Sequence, residues 1–230
     1  MNVFDNKHVT GKNYNYNYFN FSYKRSFKVI PFHNHQLIQK LMSDQAIETQ
    51  NAINTLKKGG IILYPTDTIW GIGCDATNAE AVDKVYALKK REESKSMICL
   101  VSDFKMLQQY IEEVPEVAYD ILKYATKPTT IIYDRPLRVA ENIIANDNTL
   151  GIRVVKDPFC GKLIKKFKRP IVSTSANISG MPAPKNLKEI PAAILEGVDY
   201  VVNLPLQKKG AKPSSIIKIG SDSTVKIIRK

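Results

Sequence analysis

Three groups of residues have the types and the spacing to do chemistry. The first is a set of cations, Lys89, Arg91 and Lys95, carried by a predicted helix end and the loop after it. A nucleoside triphosphate brings about four negative charges, and such cations can hold its oxygens while charge develops on a leaving pyrophosphate. The same residues can also form a solvated helix end, where positive charge favours the negative end of the helix dipole.

The second group lies on a predicted strand that contains Thr149, Gly151 and Arg153. Alternate residues of a strand point to the same side of a sheet, so these three share one face. A guanidinium near the end of a strand suits bidentate binding of a carboxylate or a phosphate. The group therefore predicts an anion-binding face.

The third group is a string of small polar residues that follows a predicted strand, Ser173-Thr174-Ser175-Ala176-Asn177-Ile178-Ser179-Gly180. Small side chains let the backbone approach a ligand, and their hydroxyl and amide groups donate hydrogen bonds to phosphate oxygens or base edges. An ordinary loop can have this composition too, but its position at a strand end favours a binding site.

The sequence lacks the fingerprints of the common nucleotide-binding and hydrolytic classes. It has no G-x-x-x-x-G-K-S/T P-loop and no complete G-x-G-x-x-G dinucleotide motif. The histidines, His8, His33 and His35, all precede the predicted core. Ser-His-Asp and Cys-His hydrolases need a histidine in that core, which argues against both classes. His33 and His35 lack a third ligand nearby, so we interpret them as incidental rather than as a metal site.

Composition favours one globular domain with an anionic partner. The chain has 230 residues, 43% of them hydrophobic and 24% charged, which suits a single buried core. Its formal net charge of +12 favours phosphate-bearing partners such as nucleotides or RNA. Apolar runs are far shorter than the roughly 20 residues that span a bilayer, so no membrane segment is predicted. Cys74, Cys99 and Cys160 are predicted to be reduced core residues of a cytoplasmic protein.

Two regions differ in pattern along the chain. Residues 1–43 combine an Asn/Tyr-rich tract with basic residues, show no period, and are treated as an N-terminal extension without an assigned role. Residues 44–230 form the predicted catalytic domain, in which Ser43 or Asp44 caps a first helix and Thr77 with Glu80 forms a capping box for a second. Further helices are predicted near 103–111, 115–124, 137–145, 158–167 and 187–195.

Strands alternate with these helices, which is typical of α/β layers. Predicted strands cover 61–64, 97–101, 129–133, 150–154, 170–174, 200–203, 214–219 and 225–228. The last two are separated only by residues 220–223, so they are expected to form an antiparallel hairpin. The sheet is therefore predicted to be mixed.

Together these motifs resemble the YrdC/TsaC family of threonylcarbamoyl-AMP synthases, over roughly residues 45–230. The resemblance rests on four segments in the family's order and spacing: Tyr64-Pro65-Thr66-Asp67-Thr68, Lys89-x-Arg91-x-x-x-Lys95, Thr149–Arg153 and Ser173–Pro184. It implies a twisted mixed α/β sheet with helices on its faces and a concave basic cavity. It also implies that L-threonine, bicarbonate and ATP are converted to L-threonylcarbamoyl-AMP and pyrophosphate, with Mg²⁺ accompanying ATP and no organic cofactor.

The resemblance assigns roles to individual residues as well. Thr68, Arg153 and Ser173 would contact threonine, with Arg153 holding its carboxylate. Lys89 and Arg91 would line the reacting centre, and no side chain is assigned to a metal. Residues expected to contact ATP are Arg91, Lys95, Thr149, Ser175, Asn177, Ala183 and, in a late strand, Ser215 or its neighbour Ser214.

Some positions depart from the family pattern. Ser96 stands where the family usually has proline, and Leu100 where a histidine often contacts threonine. The resemblance further implies a partner, a separate transferase that receives the product and modifies tRNA. Because the family also contains paralogues with RNA-related roles, the alternative is a non-catalytic protein of the same fold that binds tRNA or double-stranded RNA through its basic face.

Overall fold

The computed structural model describes residues 32–92, 97–204, 213–220 and 224–230, with side chains from residue 42 onward. No helix in these ranges is long and apolar enough to cross a bilayer. The helices are α1 (Phe32–Lys57), α2 (Ala79–Lys89), α3 (Phe104–Leu107), α4 (Glu116–Tyr124), α5 (Pro158–Phe167) and α6 (Ala192–Gly197). The strands are β1 (Ile62–Tyr64), β2 (Gly71–Gly73), β3 (Ile98–Val101), β4 (Thr129–Asp134), β5 (Thr149–Val154), β6 (Ile171–Ser175), β7 (Tyr200–Val201), β8 (Ser215–Ile219) and β9 (Val225–Arg229).

In the described ranges these strands form one sheet in the order β7-β1-β2-β6-β3-β5-β4-β8-β9. Parallel pairs are β1 with β7, β3 with β5, and β4 with β8, while the other neighbours are antiparallel. The predicted mixed α/β sheet is confirmed, and so is the predicted hairpin of β8 and β9. β2 was not predicted, because a three-residue strand with glycine at both ends has no alternating signal.

The first helix begins earlier than predicted. It starts at Phe32, so Ser43 and Asp44 lie inside it and the prediction that one of them caps it is wrong. The predicted boundary between extension and domain at residue 43 thus falls within α1.

The capping residue of α2 also differs from the prediction. Asn78 is the N-cap, and its side chain accepts a hydrogen bond from the Ala81 N–H at 3.1 Å. Thr77 instead donates through both its hydroxyl and its N–H to the Asp75 carboxylate. Because Thr77 is bound to Asp75, the predicted capping box with Glu80 does not form.

Three other predicted helices were too long. The segment 137–145 contains only a 3₁₀ turn, Glu141–Ile143, because the Ile143 and Ile144 N–H groups donate to carbonyl oxygens three residues earlier and the Ala145 N–H donates to the Thr149 carbonyl oxygen. The segment 187–195 is divided by Pro191 into a 3₁₀ turn and α6. The segment 103–111 shortens to α3.

The two faces of the sheet are covered differently. On one face, α2, α4 and α6 pack over the larger hydrophobic core. On the other, α1 and α5 cover the end of the sheet that carries Ile62, Tyr64, Leu100 and Ile171. Strand register places Arg153 beside Leu100 on this second face, which we call the site face. Cys74, Cys99 and Cys160 are free and buried, as predicted.

Gly73→Ala is expected to destabilise the protein, whereas Gly161→Ala is expected to stabilise it. A Cβ at Gly73 would lie 2.7 Å from the Val172 carbonyl oxygen and 2.8 Å from Tyr64 Cε1. A strand inside the sheet cannot shift easily, so the cost is about 1–3 kcal/mol. At Gly161 in α5 the nearest atom is 3.9 Å away, and alanine favours the helix by about 0.5–1 kcal/mol. Urea denaturation measures both changes, and equal midpoints for the two variants would refute this assignment.

Candidate functional site

The predicted site residues of β5 and β6 lie on the site face, where Arg153 neighbours Leu100 at the margin of the end that α1 and α5 cover. Register pairs Ser175 with Gly71, and Ile98 with both Ser173 and Gly151. Paired residues in neighbouring strands point to the same side. The small residues of β2, β5 and β6 therefore form a floor that continues to Arg153.

The loop between β1 and β2 is organised by the Thr66 hydroxyl. This hydroxyl donates to the Ile69 carbonyl oxygen at 2.7 Å and accepts from the N–H groups of Thr68 and Ile69 at 3.1 and 3.2 Å. The Thr66 and Thr68 hydroxyl oxygens are 2.8 Å apart. Because the Thr66 hydroxyl donates its hydrogen to the Ile69 carbonyl oxygen, the Thr68 hydroxyl must be the donor to Thr66. The Thr68 oxygen can then accept a hydrogen bond from another group.

Arg153 supplies that donor. Its Nη1 donates to Thr68 Oγ1 at 3.4 Å, and its Nη2 lies 3.2 Å from Asp67 Oδ1. The side chain is only 3% exposed, so its charge is held in a low-dielectric site where it interacts strongly with anions. The structure thus brings two predicted threonine contacts, Thr68 and Arg153, into direct contact.

Ser173, the third predicted threonine contact, faces the same space. A Cβ at Gly71 would lie 3.4 Å from both Ser173 Oγ and Thr66 Cγ2, and 3.5 Å from Tyr64 Cε1. These three side chains therefore surround Gly71, and the glycine keeps the space between them open.

Three buried polar atoms in this region have no hydrogen-bond partner among the described residues: Tyr64 Oη, Asp67 Oδ1 and Arg153 Nε. Asp67 Oδ1 lies within ion-pair distance of Arg153 Nη2, but the two groups are not oriented to form a hydrogen bond. The Tyr64 hydroxyl faces Ser173 without a good hydrogen bond, and burial raises its pKa strongly. Buried polar groups are normally paired, so these atoms indicate a site built for a polar ligand.

Lys89 fixes the loop that follows β6. Its ammonium donates to the carbonyl oxygens of Ser175 and Asn177 at 2.5 and 2.6 Å, and to Asn177 Oδ1 at 3.3 Å. The Ser179 N–H donates back to the Lys89 carbonyl oxygen at 2.9 Å. Burial and the nearby Arg91 lower the pKa of Lys89 to about 8. The geometry gives Lys89 a positioning role in this loop, and its role at the reacting centre stays a prediction.

The loop itself is internally bonded. Asn177 Oδ1 accepts from the Ser175 hydroxyl, and Asn177 Nδ2 donates to the Met181 carbonyl oxygen. Arg91 is half-buried, which lowers its pKa, and it lies close enough to Lys89 to influence that lysine. The predicted site residues Lys89, Ser175 and Asn177 therefore contact one another here, and Arg91 lies close to Lys89. Ala183 follows in the same segment, while Lys95 and Ser96 lie outside the described residues.

Thr149 and Ser215 are the remaining predicted ATP contacts. Thr149 is buried on the site face and donates to Asp147 at 2.7 Å. Ser215 pairs with Thr129, so it lies on the other face of the sheet. Ser214 is the residue on the site face, with its hydroxyl 2.8 Å from Thr130 Oγ1.

A family model described as telomere recombination, Sua5_yciO_yrdC, matches residues 54–230. The chain belongs to the Sua5/YciO/YrdC family. A Methanocaldococcus jannaschii relative, named putative threonylcarbamoyl-AMP synthase, is 36% identical over 185 residues, covering 78% of this chain and 86% of its own. A Photobacterium profundum relative, named threonylcarbamoyl-AMP synthase, is 30% identical over 183 residues, covering 74% and 98%.

Solved structures of the Sua5/YciO/YrdC family share the fold. E. coli YciO matches with a TM-score of 0.70 and 25% identity over 81% of this chain and 89% of its own. P. abyssi Sua5 complexed with L-threonine matches with a TM-score of 0.66 and 24% identity, covering 74% of this chain and 50% of the Sua5 chain. The predicted resemblance and fold class are confirmed, while the concave basic cavity stays a prediction.

Within this Sua5/YciO/YrdC domain, sequence reasoning assigned no role to two residues that the structure brings to the site. Arg229 on β9 donates through Nε and Nη2 to the Ser214 carbonyl oxygen at 3.0 and 2.8 Å. Partial burial and the nearby Arg153 lower its pKa. No local pattern predicts this contact, because it depends on the order of β5, β4, β8 and β9. Asp67 was visible in the Pro-Thr-Asp-Thr motif, but only its contact with Arg153 reveals a role.

Proposed function

We propose that this chain is a threonylcarbamoyl-AMP synthase, a nucleotidyltransferase that makes threonylcarbamoyl-AMP and pyrophosphate from L-threonine, bicarbonate and ATP. The observation that carries the proposal is that Arg153, Thr68 and Asp67 meet in a largely buried site, where Arg153 Nε and Asp67 Oδ1 have no hydrogen-bond partner among the described residues. Support also comes from relatives at 30% and 36% identity that carry the synthase name. We also propose a cytoplasmic location, because the three cysteines are free and buried.

The amino acid would bind at the Arg153 end of the floor. Its carboxylate would take up the free Nε and an adjacent N–H of Arg153, a fork that matches two carboxylate oxygens. Thr68 and Ser173 supply hydroxyls for the remaining polar groups. Leu100 stands where the family resemblance implies a histidine, and this buried leucine would offer only apolar contact.

The triphosphate would bind between Arg91 and the loop that Lys89 holds, with Thr149, Ser175, Asn177, Ser214 and the predicted contacts Lys95 and Ala183 around it. The ammonium group of threonine first releases a proton to solvent, and the resulting amine condenses with bicarbonate to give a carbamate and water. A carbamate oxygen then attacks the α-phosphorus, the bond from this phosphorus to the bridging oxygen breaks, and pyrophosphate leaves. Positioning and charge stabilisation suffice for such a reaction, without an enzyme nucleophile.

Mg²⁺ is proposed to enter with ATP. In the described ranges no group of three or more His, Cys, Asp and Glu side chains is arranged to hold a metal ion. Mg²⁺ commonly keeps several waters and binds through substrate phosphates. Its contribution would be to neutralise charge on the leaving pyrophosphate.

An assay of pyrophosphate release tests the proposal. We expect release from the purified protein only when L-threonine, bicarbonate, ATP and Mg²⁺ are all present, together with an AMP-linked product identified by mass spectrometry. Omission of threonine, or its replacement by serine, is the control for simple ATP hydrolysis. Equal release without threonine would refute the proposal.

RNA binding is the second candidate function, and one surface favours it. Lys105 of α3 and Lys165 and Lys168 near the end of α5 line a cleft of about 370 Å³. Among the described residues, none of the three lysines has a carboxylate within ion-pair distance. Asp103, the acid in this cleft, caps α3. Unpaired lysines from two helices suit the phosphates of RNA, and this function would not need Arg153.

A further inference from the structure

The acid beside Arg153 has fewer partners than a largely buried carboxylate normally has. Asp67 lies in a loop that Thr66 organises, and the described residues give Asp67 Oδ1 no hydrogen bond. Its ion contact with Arg153 Nη2 is 3.2 Å long, and its side chain is only 14% exposed. A largely buried carboxylate with an incomplete set of partners indicates a further cationic or donor group that is brought by a ligand.

We propose that Asp67 binds the α-ammonium group of the amino-acid substrate, so that Arg153 and Asp67 together recognise the zwitterion. This inference rests on the proposed function and extends it to a residue that has no assigned role. Arg153 would hold the carboxylate through Nε and a neighbouring N–H, while Asp67 Oδ1 would accept from the ammonium. Thr68 lies between the two and keeps Arg153 in place through its hydroxyl.

Charge balance supports this arrangement over a site that binds the carboxylate alone. Arg153 and Asp67 already form a neutral pair in a largely buried site. A carboxylate ligand without an ammonium would add an uncompensated negative charge there, which is costly in a low dielectric. A zwitterion brings one charge of each sign, so every charge in the site meets an opposite one.

A simpler role for Asp67 would be to hold Arg153 in position. The two roles differ in one measurable respect. An acid that only positions Arg153 affects every ligand that carries a carboxylate, whether or not the ligand has an amine. An acid that binds the ammonium affects only ligands that have one.

Calorimetry with three ligands separates these roles in the whole chain. The ligands are L-threonine, (R)-3-hydroxybutanoate, which lacks the amine, and L-threoninol, which lacks the carboxylate. We expect Asp67→Asn to weaken threonine and threoninol binding by about 30-fold or more, as for other broken buried charge pairs. The affinity for (R)-3-hydroxybutanoate should be unchanged or higher, because asparagine removes a negative charge and keeps an oxygen near Arg153.

Parallel losses for threonine and (R)-3-hydroxybutanoate would overturn the proposal in favour of a positioning role. The wild-type protein provides a second test that does not depend on folding of the variant: it should prefer threonine over (R)-3-hydroxybutanoate by about 30-fold or more, and equal affinities would also overturn the proposal. If the protein binds threonine but releases no pyrophosphate, the proposed synthase activity is contradicted and the proposed role of Asp67 is not. If pyrophosphate release requires threonine but Asp67→Asn does not change threonine affinity, the proposed role of Asp67 is contradicted and the synthase activity is not.

Discussion

Arg153→Ala is expected to lower synthesis by about 30-fold to several thousandfold, while the affinity for RNA changes by no more than about one phosphate contact. The change removes the partner of the substrate carboxylate and leaves Asp67 as a buried charge without its counterion. Loss of one member of such a pair costs about 2–5 kcal/mol, or about 30-fold to several thousandfold in kcat/KM. Pyrophosphate release at varied threonine concentration measures this loss, and thermal denaturation checks that the variant is folded.

Two matched variants sharpen this test. Arg153→Lys keeps the charge but loses the two-pronged geometry, so most of the activity should still be lost. The triple variant Lys105→Glu, Lys165→Glu and Lys168→Glu should leave synthesis intact and weaken RNA binding. The slope of the logarithm of RNA affinity against the logarithm of salt concentration should fall by about one phosphate contact for each lysine replaced. Undiminished synthesis by Arg153→Ala would contradict the assigned site, and RNA affinity insensitive to the three lysines would contradict the second function.

Lys89→Met is expected to lower kcat/KM by about 100-fold, the loss that a displacement of about 1 Å in a positioned group can produce. The variant removes the three hydrogen bonds that hold the backbone of Ser175 and Asn177. Lys84→Met on the same helix is the control, because its ammonium makes a single 3.3 Å contact with Gly59. Equal activities of the two variants would refute a positioning role for Lys89.

The pH dependence gives this prediction a second measurement. With a Lys89 pKa of about 8, activity should fall as the pH rises through about 8, because the neutral amine loses one donor and the charge. The unfolded lysine titrates near 10.4, so the unfolded chain binds more protons between pH 8 and 10.4. The contribution of Lys89 to the free energy of unfolding should therefore rise between about pH 8 and 10.4, above the pH at which activity starts to fall. The fall in activity near pH 8 should be absent from the residual activity of Lys89→Met.

Much of the site was predictable because its signals are local. The period-two pattern of residues 149–153 placed Arg153 and Thr149 on one face of the sheet, as the structure shows. The small residues after β6 do form a tightly bonded loop beside Lys89. Patterns of this kind depend only on neighbouring residues, so no knowledge of the tertiary fold was needed.

Other features required the tertiary structure. A capping box was readable at Thr77, yet Asp75 binds that hydroxyl. Ser214 and Ser215 differ by one residue, and one residue reverses the face on which a strand side chain lies. Arg229 reaches the site only because β8 and β9 follow β4 in the sheet order. These outcomes depend on competition between partners and on strand order, which a linear pattern does not contain.

The site face is assembled from segments that are far apart in the chain, from Thr68 to Arg229. Bringing such segments together requires closure of long loops, so the site is complete only when the entire sheet has formed. Partly folded forms would thus offer the substrate no binding site. Substrate would therefore bind only the native domain and raise its free energy of unfolding by about 2.7 kcal/mol at a concentration of 100 Kd. Where unfolding limits degradation, the supply of substrate would then help to set the lifetime of the protein against proteases.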